Sequence, residues 1–319
     1  MVIVFFGTPA FAVPSLEALI GSRHRVAAVV SQPDRPRGRG QQLQPTPTKA
    51  VGVAHGIPVL QPDRIRDEGF LRQARALSAD LGVVVAFGRI LPDSLIAIPR
   101  LGMINVHASV LPRYRGAAPI QRAVLAGDSE TGVTIMRIVA EMDAGPTFAV
   151  KTAPIPRDAT SGDMEATLAR LGAGLLLRVV DALDAGTAVE TPQDDSRATY
   201  APKITKVEGT LDWRQTAEAV HNRVRGLQPW PLASATLAGH RYLVRRSTPI
   251  DLAAAAAIGD LPDATPGTIV RARGDELLVA CAAGSVLRIL DIQPEGRRTM
   301  TAREFLAGRG VREGARFGT

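Results

Sequence analysis

Short apolar runs alternate with amphipathic segments through the first 150 residues of the chain. The runs are rich in β-branched residues and lack interspersed polar positions, which is typical of strands buried on both faces of a parallel sheet. Strands are predicted at 2–6, 26–30, 57–60, 81–86, 102–106, 132–139 and 147–153, and helices at 14–20, 63–77 and 117–126. This alternation predicts an α/β fold with a doubly wound, mostly parallel, Rossmann-like sheet.

The pattern changes in the second half of the chain, where apolar runs are separated by turns rather than by helices. Helices are predicted at 161–185, 214–226 and 301–307, and strands at 234–238, 241–246, 267–270, 276–282 and 285–292. Between the first two of these helices the sequence is polar and interrupted by prolines. We expect a first domain at 1–188, a linker at 189–206 and a small OB-like β-barrel domain at 207–319.

The composition is that of an ordinary globular protein. Hydrophobic residues make up 45% and charged residues 22% of the 319 positions, so the chain can bury a sizeable core. No stretch approaches the roughly 18 apolar residues of a membrane span, and the N-terminus does not resemble a secretory signal. Cys281 is the single cysteine, which excludes an internal disulfide and a cysteine-based zinc site. We therefore expect a cytoplasmic protein without a membrane partner.

The formal net charge of +7 raises the question of a nucleic-acid partner. Of the 38 basic residues, 34 are arginine, a skew that a GC-rich genome gives to any protein, so charge alone leaves the question open. A sharper feature is the segment 31–48, in which prolines and glycines are interspersed with arginines. So many residues that interrupt helices and strands predict a long exposed loop, either functional or a plain connection.

The glycine turn after the first strand argues against two common ligands of α/β domains. Residues 7–10 are Gly-Thr-Pro-Ala, with one glycine where a dinucleotide-binding turn needs three. The sequence also lacks the GxxxxGK[ST] pattern that binds nucleotide triphosphates. Neither NAD nor ATP is therefore predicted.

Residues 102–122 hold the densest concentration of chemically functional side chains. Asn105 and His107 are two apart at the end of a predicted strand, so both project from one face, at the sheet edge where α/β proteins bind ligands. An Asn amide can donate to a developing oxyanion, and an imidazole can transfer a proton. Asp143 follows a neighbouring predicted strand and can orient the imidazole. The spacing alone fits a structural histidine as well as a catalytic triad.

At these residues the sequence resembles the 10-formyltetrahydrofolate-dependent formyltransferases. The segment INVHASVLPRYRGAAPIQR is similar to the stretch that holds their catalytic Asn and His, and Asp-Ala-Gly at 143–145 matches their downstream D-x-G pattern. The resemblance implies formyl transfer from 10-formyltetrahydrofolate as co-substrate, without a metal. It also implies that Asn105, His107 and Asp143 are catalytic.

The turn after the histidine matches the family as well. It comprises Ser109, Val110, Leu111 and Pro112, with Val110 in place of the usual leucine, and the resemblance implies that it borders the folate. The opening FFGTPAFAVPSLEAL and the C-terminal stretches YAPKITKVEGTLDW and RGLQPWPLA resemble the family members that formylate methionyl initiator tRNA. The resemblance thus extends over essentially the whole chain.

In those members the counterpart of the 31–48 segment is an insertion loop that enters the acceptor end of the tRNA. By this resemblance, Arg35, Arg37 and Arg39 contact the nucleic acid, a role that suits the planar, multidentate guanidinium group. We expect a monomer. Two alternatives stay open: a formyltransferase that acts on a small amine such as a sugar nucleotide, and a non-catalytic tRNA-binding protein with the same fold.

Overall fold

The computed structural model describes residues 1–37, 42–250 and 264–318. The chain divides into two compact units, and each combines segments that are separate in sequence. The first unit comprises Met1–Pro119, Glu130–Pro154 and Glu165–Ala201, and the second comprises Ile120–Ser129, Ile155–Met164 and Pro202–Thr319.

The first unit is built on a sheet of seven strands. The strands of this unit are β1 (Val2–Gly7), β2 (Arg25–Val30), β3 (Arg35–Arg37), β4 (Gln42–Gln44), β5 (Val59–Leu60), β6 (Leu81–Val85), β7 (Met103–His107), β8 (Arg115–Gly116), β9 (Glu130–Arg137), β10 (Thr147–Pro154) and β11 (Tyr200–Ala201). The large sheet has the order β10-β9-β7-β6-β1-β2-β5. Its five strands from β7 to β5 are parallel, whereas β9 and β10 are antiparallel to their neighbours. The predicted mostly parallel α/β fold is confirmed.

Helices connect these strands, and the strand order reverses at β1. Along the first 200 residues the helices are α1 (Val13–Ile20), α2 (Pro47–Ala54), α3 (Glu68–Ala76), α4 (Asp93–Ile96), α5 (Pro119–Ala126) and α6 (Ser161–Asp184). The central strands β1 and β6 are buried along most of their length, as their continuous apolar runs predict. An open sheet binds ligands at the carboxyl ends of strands where its order reverses.

The structure corrects the prediction that 31–48 is only an exposed loop. Strands β3 and β4 pair antiparallel, and helix α2 begins inside the segment at Pro47. Pro47 occupies the first turn of the helix, where its missing N–H costs no hydrogen bond, and the Thr46 side chain accepts a hydrogen bond from Lys49 N. The prediction was wrong because it treated every proline as an interruption. Residues 38–41 lie outside the described residues.

Among its described residues, the part of the second unit from Pro202 onward is an antiparallel barrel with helices. Its elements are α7 (Ala217–Gly226), β12 (Ala233–Leu237), β13 (His240–Ile250), β14 (Ile269–Arg273), β15 (Glu276–Ala280), β16 (Val286–Pro294), β17 (Met300–Thr301), α8 (Ala302–Arg309) and β18 (Phe317–Gly318). The strand order is β14-β15-β16-β13-β12-β18, with β17 paired to β16. This arrangement is consistent with the predicted OB-like domain.

Backbone hydrogen bonds close the sheet of the second unit on itself. Ile269 N donates to the carbonyl of Ala315 over 2.8 Å, and Phe317 N donates to the carbonyl of Gly267 over 2.9 Å. Since Phe317 also pairs with β12, the C-terminal segment bridges the two edges of the sheet. Inside, the buried ring of Trp213 lies 5.5 Å from that of Phe317, between ring centroids. The barrel therefore encloses its own apolar core.

Candidate active site

The candidate site lies at the carboxyl end of β7. His107 is the last residue of this strand and is buried, with 5% of its side chain exposed, and Asn105 is half-buried two positions earlier. Residues two apart on a strand share a face, so both side chains project to the same side of the sheet. β7 lies between β6, which is parallel to it, and the antiparallel β9.

Two oxygen acceptors flank the imidazole of His107. Its Nε2 lies 2.9 Å from the backbone oxygen of Tyr114, and its Nδ1 lies 3.6 Å from Oδ2 of Asp143. Because a carbonyl can only accept, the ring donates to Tyr114 from Nε2. This hydrogen bond fixes the orientation of the ring and presents Nδ1 to the carboxylate. The structure thus brings His107 and Asp143 together, although they lie 36 positions apart in the sequence.

A constrained loop between β9 and β10 holds the Asp143 carboxylate. Asp143 has a left-handed backbone with φ of 51°, a conformation that aspartate tolerates better than most residues. Its Oδ2 accepts a hydrogen bond of 2.8 Å from the backbone N of Gly116. At Gly145 a Cβ atom would lie 2.0 Å from the carbonyl oxygen of Arg137, which leaves room only for glycine. The Asp-Ala-Gly sequence therefore has a steric reason for its glycine.

The turn at residues 109–112 is fixed mainly by one buried hydroxyl. Thr134 on β9 accepts a hydrogen bond of 3.1 Å from Leu111 N and donates one of 2.7 Å to the Ser109 carbonyl. The Ser109 hydroxyl is itself buried and donates to the carbonyl of Arg113 over 2.6 Å. Val110 and Pro112 are half-buried. The proton of the Ser109 hydroxyl is therefore used on the residue that follows the turn.

A second layer of contacts comes from the segment that follows α6. The guanidinium of Arg115, 2% exposed, donates to Oε1 of Gln193, and the Gln193 amide donates to the carbonyls of Asp143 and Gly145. Thr199 accepts backbone hydrogen bonds from Arg115 and, through its hydroxyl, from Tyr114. Sequence patterns did not indicate these residues because their contacts join distant segments and involve backbone atoms.

Two of the three predicted tRNA-contacting arginines, Arg35 and Arg37, lie on β3. Arg35 is exposed at the start of β3 and pairs through its backbone with Gln44 of β4. Arg37 ends the same strand. Arg39 lies outside the described residues. The structure therefore places two of the three arginines on one short hairpin.

An ion pair anchors the base of this hairpin. The ammonium of Lys49 donates to Oδ2 of Asp34 over 2.5 Å and to the side-chain oxygen of Gln61 over 2.8 Å, and the Gln61 amide donates back to Asp34. The hydrogen bond from Lys49, with a smaller contribution from Gln61, lowers the pKa of Asp34 below its ordinary range. These three side chains connect the segment between β2 and β3, which contains Asp34, to Lys49 on α2 and to Gln61, the residue after β5.

Within residues 1–37, 42–250 and 264–318, no three or more His, Cys, Asp or Glu side chains are grouped so that they could hold a metal ion. Among the helices of the described residues, none is long and apolar enough to cross a membrane.

Comparison with known proteins identifies the family. A model of the formyl transferase family matches residues 1–180, and a model of the formyl transferase C-terminal domain matches residues 203–310. The chain belongs to the formyl transferase family. A family member from Methylococcus capsulatus, named methionyl-tRNA formyltransferase, is 46% identical over the full length of both chains. One of the same name from Pelobacter propionicus is 45% identical and covers 99% of this chain and 96% of its own.

Solved structures of other formyl transferases have the same fold. The N-formyltransferase from Helicobacter canadensis, solved with folinic acid and dTDP-3-aminofucose, has a TM-score of 0.67 to this chain. The alignment covers 92% of this chain and 100% of that one, at 17% identity. At such low sequence identity, the similarity shows that the two proteins share a fold but does not show that they share a substrate.

Proposed function

We propose that the protein transfers the formyl group of 10-formyltetrahydrofolate to the α-amino group of methionyl initiator tRNA. The observation that carries this proposal is the pairing of His107 with Asp143, beside Asn105, in a chain that aligns along its whole length with a methionyl-tRNA formyltransferase. The family membership supplies the folate co-substrate. The proposed catalytic domain is 1–188 and the proposed tRNA-binding domain is 207–319, joined by the linker 189–206.

Each proposed catalytic residue has one task. The Asn105 amide donates to the formyl oxygen as negative charge develops there. Stabilisation of such charge is usually the largest single contribution to an enzyme's rate enhancement. His107 contributes a proton acceptor at Nδ1, because its Nε2–H is used on the Tyr114 carbonyl. Asp143 compensates the positive charge of the protonated ring, as the carboxylate does in other histidine-dependent sites.

The reaction is acyl transfer between two nitrogens. The lone pair of the methionine amine attacks the formyl carbon, a C–N bond forms, and the bond from that carbon to N10 of the folate breaks. The His107–Asp143 pair accepts the proton that the amine loses and returns it to N10, so the enzyme ends in its starting state. No covalent enzyme intermediate is required.

The turn 109–112 borders the folate in this proposal, and the β3–β4 hairpin with Arg35, Arg37 and Arg39 contacts the acceptor end of the tRNA. Charged guanidinium groups bind phosphates and stack on bases, which suits an exposed hairpin. The tRNA substrate also supports a cytoplasmic location. We propose that the active form is a monomer, which sedimentation at micromolar concentration tests.

A transfer assay distinguishes this function from formylation of a small amine. The purified protein is incubated with formyl-labelled 10-formyltetrahydrofolate and either methionyl initiator tRNA or an amino-sugar nucleotide. We expect label on the tRNA and none on the sugar. Label on the sugar alone would overturn the proposal, and label on neither acceptor would favour a non-catalytic tRNA-binding protein.

Substitutions in the same assay test the site. We expect Asn105→Ala and His107→Ala each to lower kcat about 100- to 1000-fold, because the first removes a preorganised donor at the developing oxyanion and the second removes a proton acceptor. Binding of tRNA should survive in both variants. His55→Ala removes an exposed histidine after α2 and is the matched control, which should keep wild-type turnover. Near-normal turnover in either site variant would contradict the assignment.

A further inference from the structure

Gln193 contacts the loop of Asp143 at two points. Its Nε2 donates to the carbonyl of Asp143 over 2.8 Å and to the carbonyl of Gly145 over 2.7 Å. Both hydrogens of one amide group are thus used on the first and third residues of the Asp-Ala-Gly sequence. Gln193 itself lies 50 residues from Asp143 and is half-buried.

A buried arginine determines how this amide is turned. Arg115 donates from Nε and Nη2 to the single oxygen of Gln193, over 3.2 and 2.8 Å. With its oxygen held by the guanidinium, the amide must present its NH₂ group to the loop. Arg115 also forms an ion pair with Asp195. The Arg115 side chain is only 2% exposed, so its positive charge is buried where it contacts Gln193 and Asp195. Burying a charge is costly unless it is paired and hydrogen-bonded, which both acceptors achieve.

The residue after Arg115 completes the arrangement. Gly116 N donates to the Asp143 carboxylate, and Gly116 has φ of 120°; a Cβ atom at this position would lie 2.9 Å from the carbonyl oxygen of Ala201. Two neighbouring residues thus hold Asp143. Gly116 binds its carboxylate directly, and Arg115 acts on its backbone through Gln193. These contacts stabilise the left-handed conformation of Asp143, which costs aspartate less than most residues but more than glycine.

We propose that Gln193 is a positioning residue that holds the Asp143 carboxylate at the working distance from His107. The proposal rests on the catalytic role proposed above for Asp143. Arg115 orients Gln193, and Gln193 fixes the backbone from which the carboxylate projects. The segment after α6 is thus part of the catalytic machinery and more than a connection between domains.

The variant Gln193→Glu tests this with little change of shape. It keeps an oxygen for Arg115 but replaces the NH₂ donor by an oxygen that faces two carbonyls. We expect kcat to fall about 10- to 100-fold, the size of effect that a displaced catalytic group produces, while KM for each substrate changes less than about twofold. Gln73→Glu, an exposed change of the same charge on α3, should leave both parameters unchanged.

A double-variant cycle separates this proposal from the proposed function. Asp143→Asn alone should abolish most turnover; if it does not, the proposed site is wrong. In the Asp143→Asn background, Gln193→Glu should cause no further loss. If the full loss appears again in that background while Asp143→Asn is itself impaired, the proposed function stands and positioning through Asp143 is overturned.

A spectroscopic measurement covers the case in which Gln193→Glu folds poorly. Gln193→Met removes the donors without adding charge, and the ring ¹⁵N signals of His107 report the distance of its carboxylate partner. We expect those signals to shift in Gln193→Met toward their positions in Asp143→Asn, with the other histidines unchanged. Unshifted His107 signals in a folded Gln193→Met protein would overturn the proposal.

Discussion

At the scale of single residues, a buried histidine outside the candidate site makes the stability of the second unit depend on pH. His221 on α7 is 3% exposed; its Nε2 lies 3.2 Å from the Arg157 carbonyl and its Nδ1 lies 3.2 Å from the Ser247 hydroxyl. Burial lowers the pKa of His221, and the neighbouring Arg225 adds to this effect, against the opposing influence of the Arg157 carbonyl and the acidic groups Asp158 and Glu218. The folded state therefore binds a proton at His221 less readily than the unfolded state does.

The sign of the resulting pH dependence follows from linkage. Stability from neutral His221 is fully present above its ordinary pKa of about 6.5 and is lost as pH falls through the lower pKa of the folded state. We expect the free energy of unfolding of the wild type to fall between pH 7 and pH 5, with uptake of up to about one more proton on unfolding than in His221→Gln. Denaturant titrations at several pH values measure this. His240→Gln removes an exposed histidine of the same unit and should keep the wild-type slope; equal slopes in His221→Gln and wild type would contradict the argument.

At the scale of elements, β9 holds the turn that follows β7. The Thr134 hydroxyl satisfies Leu111 N and the Ser109 carbonyl at once, and it is fully buried. Thr134→Val has nearly the same shape but leaves both partners without a hydrogen bond, at a cost of about 1–3 kcal/mol each. We expect a lower unfolding temperature and, if the turn borders the folate, a KM for 10-formyltetrahydrofolate raised about tenfold. Steady-state kinetics with varied folate measure the second effect.

The control for this substitution is Thr134→Ser, which keeps the hydroxyl and removes one methyl group. It should restore the folate KM to near the wild-type value, although the small cavity lowers stability by about 1 kcal/mol. A wild-type folate KM in Thr134→Val, despite lowered stability, would show that the turn does not border the folate.

The individual strands and helices also show what sequence patterns can and cannot predict. The continuous apolar runs predicted the buried strands, and the spacing of Asn105 and His107 predicted a shared face, because both follow from the period of a strand. The β3–β4 hairpin and α2 were missed, since Pro47 starts a helix in the only position where proline favours one. Gln193 was missed because its role depends on where the chain returns after 50 residues, which local periodicity does not encode.

At the scale of the whole molecule, charge and family relationship give different kinds of information. The net charge of +7 fits a polyanionic substrate, but its arginine skew also fits an unrelated cause. The proposal of tRNA among polyanions rests on the 46% identity, along the whole chain, to a relative named methionyl-tRNA formyltransferase. The positive charge instead bears on how strongly binding of the proposed substrate depends on salt, which can be measured.

Binding of tRNA should weaken steeply with salt, because each phosphate contact releases counterions. If three loop arginines each neutralise one phosphate, the slope of log affinity against log salt is about −2 to −3, a loss of roughly 16- to 64-fold between about 50 and 200 mM. Arg35→Gln should weaken binding and make the slope less steep by about 1. Arg72→Gln, which removes an exposed arginine on α3, is the matched control and should leave the slope unchanged. Equal slopes in wild type and Arg35→Gln would place the phosphate contacts elsewhere on the protein, and a slope near zero would mean that tRNA binding does not depend on phosphate charge.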